Sequence, residues 1–154
     1  MLCLPAIFKR LKDSYNGSLE FCFVGSGKYE SKLKEMCEEY GLNTVFLINI
    51  PANEMPCIYN SMDVIVLPSQ NEGLPLTAVE ALACGTSLVG SRVGGISEVI
   101  GIDNTAPLDD NFDDNFSGIC LRHLYGNLTP ELPKQFDWDK TSEKETKIYK
   151  MILK

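Results

Sequence analysis

Two glutamates define the chemistry this chain could offer. In "QNEGLPLTAVEALACG", residues 70–85, Glu72 and Glu80 stand eight positions apart, and Glu80 is the only charged side chain between Gly73 and Ser91. Taking an ionised carboxylate out of water without a partner costs several kcal/mol or shifts its pKa until it neutralises. A glutamate in so apolar a stretch therefore needs a hydrogen-bond donor. Glu72 falls in a loop, and Glu80 roughly a turn and a half into a helix. On a helical wheel Glu80 lies near Leu76 and Ala83, at the edge of the apolar face formed with Val79. From there it could cap a backbone N–H at the sheet margin, or accept hydrogen bonds from a polar ligand crossing the helix start. Vicinal ribose hydroxyls are natural donors for the second role.

Three loops could hold the rest of such a ligand: Gly25-Ser26-Gly27, the stretch Ser69 to Leu74, and Ser91 to Gly95. Glycines let backbone approach a ligand closely, and free N–H groups at a helix start favour phosphate oxygens without a lysine. Each loop alone is weak evidence. "GSGKYE" lacks the third glycine of a dinucleotide fingerprint, and nothing matches G-x-x-x-x-G-K-[ST]. No metal is expected, because His123 is the sole histidine and the cysteines are scattered. The aspartates of residues 103–118 have neither the spacing nor the closing glutamate of an EF-hand.

The elements that must position these loops alternate along the chain. "LEFCFVGSG" (19–27) reads as a strand ending at glycines, and "KYESKLKEMCEEYG" (28–41) as a helix with Tyr29, Leu33, Met36, Cys37 and Tyr40 at helical spacing. A strand over 43–49, a short helix over 52–62 broken near Pro56 and a strand over 63–69 follow. Residues 74–85 read as a helix, with Pro75 in its first turn and Gly85 at its stop. Residues 86–91 form a strand, 94–101 a short helix and 105–108 a small last strand. Continuously apolar strands alternating with helices predict an α/β domain, a doubly wound parallel sheet of Rossmann-like type. Ligands in such a sheet bind outside the carboxyl ends of the strands, where all three loops fall. "DNTAPLDDNFDDNFSG" (103–118) reads as a solvated loop, and residues 137–154 as a helix capped by Thr141 or Ser142 with Tyr149, Ile152 and Leu153 on one side. There is no internal repeat.

A chain of 154 residues, 44% hydrophobic and 23% charged, fits a single domain over 1–154. Its 21 acidic against 14 basic residues, net -7, argue against a nucleic-acid or anionic-membrane surface. Six cysteines without a C-x-x-C pair read as reduced thiols of a cytoplasmic protein. "MLCLPAIFKRLK" is too short in its apolar run for a membrane span and carries its charges on the wrong side for a signal peptide. The glycosylation-like triplets at Asn16, Asn115 and Asn127 then read as chance.

In combination these segments resemble the carboxyl-terminal domain of the retaining nucleotide-sugar glycosyltransferases of group 1, whose GT-B architecture sets two Rossmann domains face to face. "FVGSGKYESKL" is similar to that family's glycine turn and helix, "MDVIVLPSQNEGLPLTAVEALACG" to its signature segment with two glutamates, and "SRVGGISEVI" to its following glycine loop. "FDWDKTSEKETKIYKMIL" resembles its closing Phe-x-Trp helix. The resemblance implies that Glu80 binds the donor ribose and that Glu72 is the catalytic-site glutamate approaching the transferred sugar. It implies that backbone N–H groups of Gly73, Leu74, Leu76 and Thr77 face sugar and diphosphate. Gly25 and Gly27 would border the nucleotide, with the loop from Asn49 to Pro51 near the base. The donor is then a substrate, a nucleotide-diphosphate sugar, and no cofactor is implied; helix dipoles and cations stabilise the leaving diphosphate.

The departures from the pattern bear on activity. The family's domain begins with a strand and a loop supplying an Arg and a Lys to the diphosphate, whereas this sequence begins inside the following helix. Lys9, Arg10 and Lys12 lie on the wrong side of that loop and read as surface charge. The acceptor-holding amino-terminal domain is also missing, as is most of the segment between the Gly118 region and Trp138. Poor or no transfer by the isolated chain is therefore expected. Three readings stand: a glycosyltransferase fragment, one subunit of a split enzyme whose amino-terminal acceptor domain is a separate partner, or a non-catalytic binding or scaffold domain on the same fold. A nonhydrolysing sugar epimerase shares the architecture, but its motifs fit less well.

Overall fold

Short apolar runs become strands wherever both faces can be covered, and five do so among the described residues. The computed structural model describes residues 2–126 and 130–152, apart from the side chains of Trp138 and Ile152. The strands are β1 (Phe21–Val24), β2 (Thr44–Leu47), β3 (Val64–Leu67), β4 (Ser87–Ser91) and β5 (Thr105–Ala106). The helices are α1 (Leu4–Ser14), α2 (Glu30–Glu39), α3 (Met55–Asn60), α4 (Leu76–Ala83), α5 (Ile96–Ile100), α6 (Phe112–Tyr125) and α7 (Trp138–Ile152). Every strand pair is parallel, so the α/β class holds. The ladder is interrupted: β1 pairs with β2, β3 with β4 and β4 with β5, but β1 and β3 do not pair.

Alternation along the strands assigns the two faces. On β4, Val89 joins a core with Ile7 and Phe8 of α1 and Phe116 and Cys120 of α6, while Leu88 joins one with Tyr59 of α3, Ala78 and Leu82 of α4 and Ile96 of α5. On β3, Val64 and Val66 pack against the first core and Ile65 and Leu67 against the second. Side chains of period two thus place α1 and α6 on one side and α3, α4 and α5 on the other. All five residues of β4 are buried, whereas all four of β3 are only half-buried.

Three expectations need correction. Residues 103–118 are not a solvated loop: Asp113 and Asp114 occupy the first turn of α6, and Phe116, Cys120 and His123 are buried behind them. Acidic groups suit a helix start because the unpaired N–H groups there carry partial positive charge. Pro56 begins α3 instead of breaking it, since it lies in the first turn, where its missing N–H has no helical partner to lose. In α7 the cap is Asp137, whose Oδ1 accepts from the Asp139 N–H (2.9 Å), while Thr141 lies inside the helix and donates its hydroxyl to the Asp137 carbonyl (3.1 Å). The ring of Trp138, the side chain of Ile152, Leu153 and the Asn127 triplet lie outside the described residues. Tyr149 is exposed.

None of the six cysteines is paired. Burial pushes the Cys120 thiol up to about 12, so it stays protonated and unreactive. No helix among the described residues is long and apolar enough to cross a membrane.

Candidate functional site

The loop between β3 and α4 carries the first glutamate and the helix the second. Pro75, with extended backbone, caps α4, and its carbonyl accepts from the N–H groups of Ala78 (3.0 Å) and Val79 (3.3 Å). Gly85, at φ +78, lets the chain leave the helix after Cys84. Among the described residues no protein acceptor takes the N–H groups of Gly73, Leu74, Leu76 or Thr77. Four donors at one helix start are therefore free for an anionic ligand. Leu74 and Leu76 are exposed, so these groups open to solvent.

Glu80 is exposed on α4, whose buried side is formed by Ala78, Ala81 and Leu82. Leu76 and Ala83, expected beside Glu80 on the margin of the apolar face, are exposed with it. Among the described residues Glu80 caps no backbone N–H. Its Oε2 accepts from the hydroxyl of Tyr59, 2.7 Å away. Tyr59 is only 6% exposed, and its carbonyl accepts from the Thr86 hydroxyl at 2.7 Å. Burial, and then the Glu80 carboxylate, raise the Tyr59 pKa far above its usual range, so the phenol remains a donor. The contact fixes one carboxylate oxygen and leaves the other for a ligand.

Glu72 is half-buried, and its Oε2 accepts from the Ser69 hydroxyl at 3.1 Å. Its backbone is braced by the loop before α5. A Cβ on Gly94 would lie 1.7 Å from the Glu72 carbonyl oxygen, and one on Gly95 2.6 Å from that of Gly73. Gly94 also sits at φ +49, and the Gly95 N–H donates to the Gly73 carbonyl at 2.8 Å. The paired glycines thus admit the Glu72–Gly73 backbone into contact that any side chain would block. The sequence marks this loop as a ligand contact; the structure gives it a bracing role.

Gly25 follows β1 at φ +115, and its N–H donates to the Leu47 carbonyl at 2.8 Å. Gly25, Gly27 and Thr77 line a cavity of about 1450 Å³, together with Lys28, Ser69 and Asn71. Glu72, Gly73, Leu74, Leu76 and Glu80 are not among its lining residues. Asn49, exposed at φ +58 after β2, does not line it either. Lys9 pairs with Asp13, Arg10 with Asp114 of α6, and Lys12 with the Gly41 carbonyl at 2.6 Å; none of these partners belongs to the loop or helix of the two glutamates. Among the described residues no group of three His, Cys, Asp or Glu side chains could hold a metal ion. Tyr59 and Ser69 are partners that the spacing did not reveal, for Tyr59 and Glu80 lie 21 positions apart on different helices.

The family described as Glycosyl transferases group 1 matches residues 4–114. A D-inositol 3-phosphate glycosyltransferase of Paenarthrobacter aurescens is 33% identical over 137 residues, which cover 80% of this chain and 34% of the relative. Among solved structures, the "GtfA/B complex" superposes with a TM-score of 0.80 at 19% identity, over 99% of this chain and 33% of the other. Sucrose-phosphate synthase from Thermosynechococcus elongatus superposes with a TM-score of 0.74 at 21% identity, over 97% of this chain and 41% of its own. The chain spans about a third of the length of the curated relatives it matches.

Proposed function

The chain belongs to the group 1 glycosyl transferases, and from that premise we propose that it is a donor domain, binding a nucleotide-diphosphate sugar for retaining transfer of a hexose to an acceptor. The observation that carries this reading is the arrangement at α4, where four free N–H groups lie between two oriented carboxylates. In the proposed pose the free Glu80 oxygen accepts from a ribose hydroxyl. The N–H groups of Gly73, Leu74, Leu76 and Thr77 take up negative charge on sugar and diphosphate oxygens. Glu72 meets the hydroxyls of the sugar being transferred.

Such donors stabilise most strongly where charge develops as the diphosphate leaves, which is how backbone groups act in catalysis. Lys28 supplies a positive charge among the glycine-loop residues that line the cavity. Gly25 and Gly27 border the nucleotide, and Asn49 marks the loop nearest the base. We assign acceptor binding to a second domain or subunit; the length of the relatives and the neighbour that is itself a complex support this. Six unpaired thiols support a reducing, cytoplasmic setting.

The test is calorimetric titration of the chain with UDP, GDP, ADP and their common sugars, beside Glu80→Ala. One of these is expected to bind, and the substitution to weaken it about tenfold or more, equivalent to roughly 1.4 kcal/mol. Binding of none of them, or equal binding by the variant, would overturn the donor reading and leave a non-catalytic domain on the same fold.

A further inference from the structure

β2 has an outer edge, for β1 is its strand partner and it has no other among the described residues. Its bonds to β1 fix which backbone groups look outward. The carbonyls of Asn43 and Leu47 accept from the Phe21 and Gly25 N–H groups, at 2.9 and 2.8 Å. In a parallel strand alternate residues turn their N–H and C=O to opposite sides. Val45 and Leu47 therefore bond toward β1, while Thr44, Phe46 and Ile48 present theirs to the outer edge.

This edge lacks the usual guards. Lys or Pro commonly blunts an open strand edge, but "TVFLI" (44–48) holds no charged residue and no proline. Lys34 of α2 lies 5.0 Å over the Phe46 ring, yet its charge is taken by Glu30 at 2.7 Å. No residue of β2 is buried, and Val45 and Ile48 are exposed, as is Val24 of β1.

Charge gathers at one end of the same edge. Glu38 and Glu39 stand in the last turn of α2, where helix carbonyls already carry partial negative charge and no basic residue compensates. Glu20 adds a third carboxylate at the amino end of β2, accepting from the side-chain amide of Asn43 at 3.2 Å. All three glutamates are exposed, and Lys12, on the Gly41 carbonyl at 2.6 Å, offsets one of them. The strand is thus apolar along its length and acidic at its amino end.

From this combination we infer that the outer edge of β2 docks an extended segment of a basic partner protein, added as one strand antiparallel to β2. The segment is apolar over about four to six residues, to match β2, and carries Lys or Arg directly after them. Antiparallel pairing is slightly the more stable per residue, and it brings the carboxyl end of the segment, with its cations, to the three glutamates. Main-chain bonds to Thr44, Phe46 and Ile48 supply affinity, and the terminal cations supply selectivity. A second copy of the chain fits the edge less well, because each copy carries a net charge of -7 and its β2 has no cation to offer. The inference does not depend on donor binding, and its test needs no nucleotide.

The test uses the ¹⁵N-labelled 154-residue protein and a synthetic peptide, Val-Thr-Val-Thr-Val-Lys-Lys. Saturating peptide is expected to slow amide exchange at Thr44, Phe46 and Ile48 about tenfold or more, with Val45 and Leu47, already bonded to β1, unchanged. An analogue N-methylated at the core residues that face β2 should give no protection. Three results would each overturn the proposal. One is no protection at Thr44, Phe46 and Ile48 by the peptide. Another is equal protection by the peptide ending in Glu-Glu, which would mean that the acidic end selects nothing. The third is the same protection on concentrating the protein alone, which would mean that a second copy occupies the edge.

Discussion

Tyr59→Phe removes one hydroxyl and leaves the ring that fills the α3–α4 core. The lost bond joins a buried phenol to an exposed carboxylate, so the cost in stability is about 0.5–1.5 kcal/mol, a fall in Tm of a few degrees. If the phenol orients Glu80, the variant also binds the proposed nucleotide ligand more weakly while keeping its fold; unchanged affinity by calorimetry would mean the contact serves stability alone. His123 gives a second prediction at this scale. Its Nε2–H donates to Asn104 Oδ1 at 2.9 Å, its Nδ1 is buried without a partner among the described residues, and burial, then Arg122, lower its pKa. A base whose folded pKa is depressed takes up its proton more readily when unfolded. Its contribution is therefore complete above its ordinary value of about 6.5 and is lost as pH falls through the lowered folded value. Thermal melts from pH 7 to 5 should show Tm falling, with a shallower slope in His123→Gln; equal slopes would refute the assignment. Neither contact was legible in the sequence. Glu80 announced that it needed a donor, but its partner comes from another helix, brought close only when α3 and α4 pack.

At the scale of elements, the glycine pair before α5 does what no cap residue could. Gly94→Ala must push the Glu72–Gly73 backbone aside and hold alanine at φ +49, so a loss of about 2 kcal/mol or more is expected, with affinity for the proposed donor falling alongside. Gly27→Ala is the contrast: a Cβ there meets nothing within 4 Å, and stability should change by less than about 0.5 kcal/mol. Denaturant melts of the two variants separate backbone contact from mere glycine content, and equal losses would sink the argument. The strands of residues 19–27, 43–49, 63–69 and 86–91 were legible because each is a short apolar run stopped by turn residues, and β1 to β4 lie within them. α6 was not, because its first turn is written in aspartates and its buried residues, Phe116, Cys120 and His123, are spaced on either side of a glycine at 118. The acidic run looked like solvent-facing loop; only packing on α1, sealed by Arg10 to Asp114, shows that it starts a helix. The Gly94–Gly95 loop was legible as important but not as a brace, since the backbone it touches lies some twenty residues earlier.

At the scale of the whole molecule, side chains must do what the interrupted ladder does not. Among the described residues no strand pairing links β1 and β2 to the other three strands, so α1 carries much of that load. Phe8 stacks on Phe21 with ring centroids 4.3 Å apart and tilts against Phe23 at 5.6 Å, while its neighbours in the same core include Val89 of β4 and Phe116 of α6. The sequence could give the parallel class but not this division, because continuously apolar strands read alike whether paired on one side or two. Phe8→Ala removes the stacked ring, at a cost of about 3–5 kcal/mol against a typical domain stability of about 5–15 kcal/mol. If α1 is the link, that loss falls unevenly. Amides of Phe21 and Phe23, which bond only within the β1–β2 pair, should exchange faster by a larger factor than those of Leu88 and Val89 in β4, whose ladder has a strand on each side. Uniform acceleration across both ladders, measured by native-state exchange below the unfolding midpoint, would mean the molecule opens as one unit and that the two ladders are held by more than the Phe8 contact.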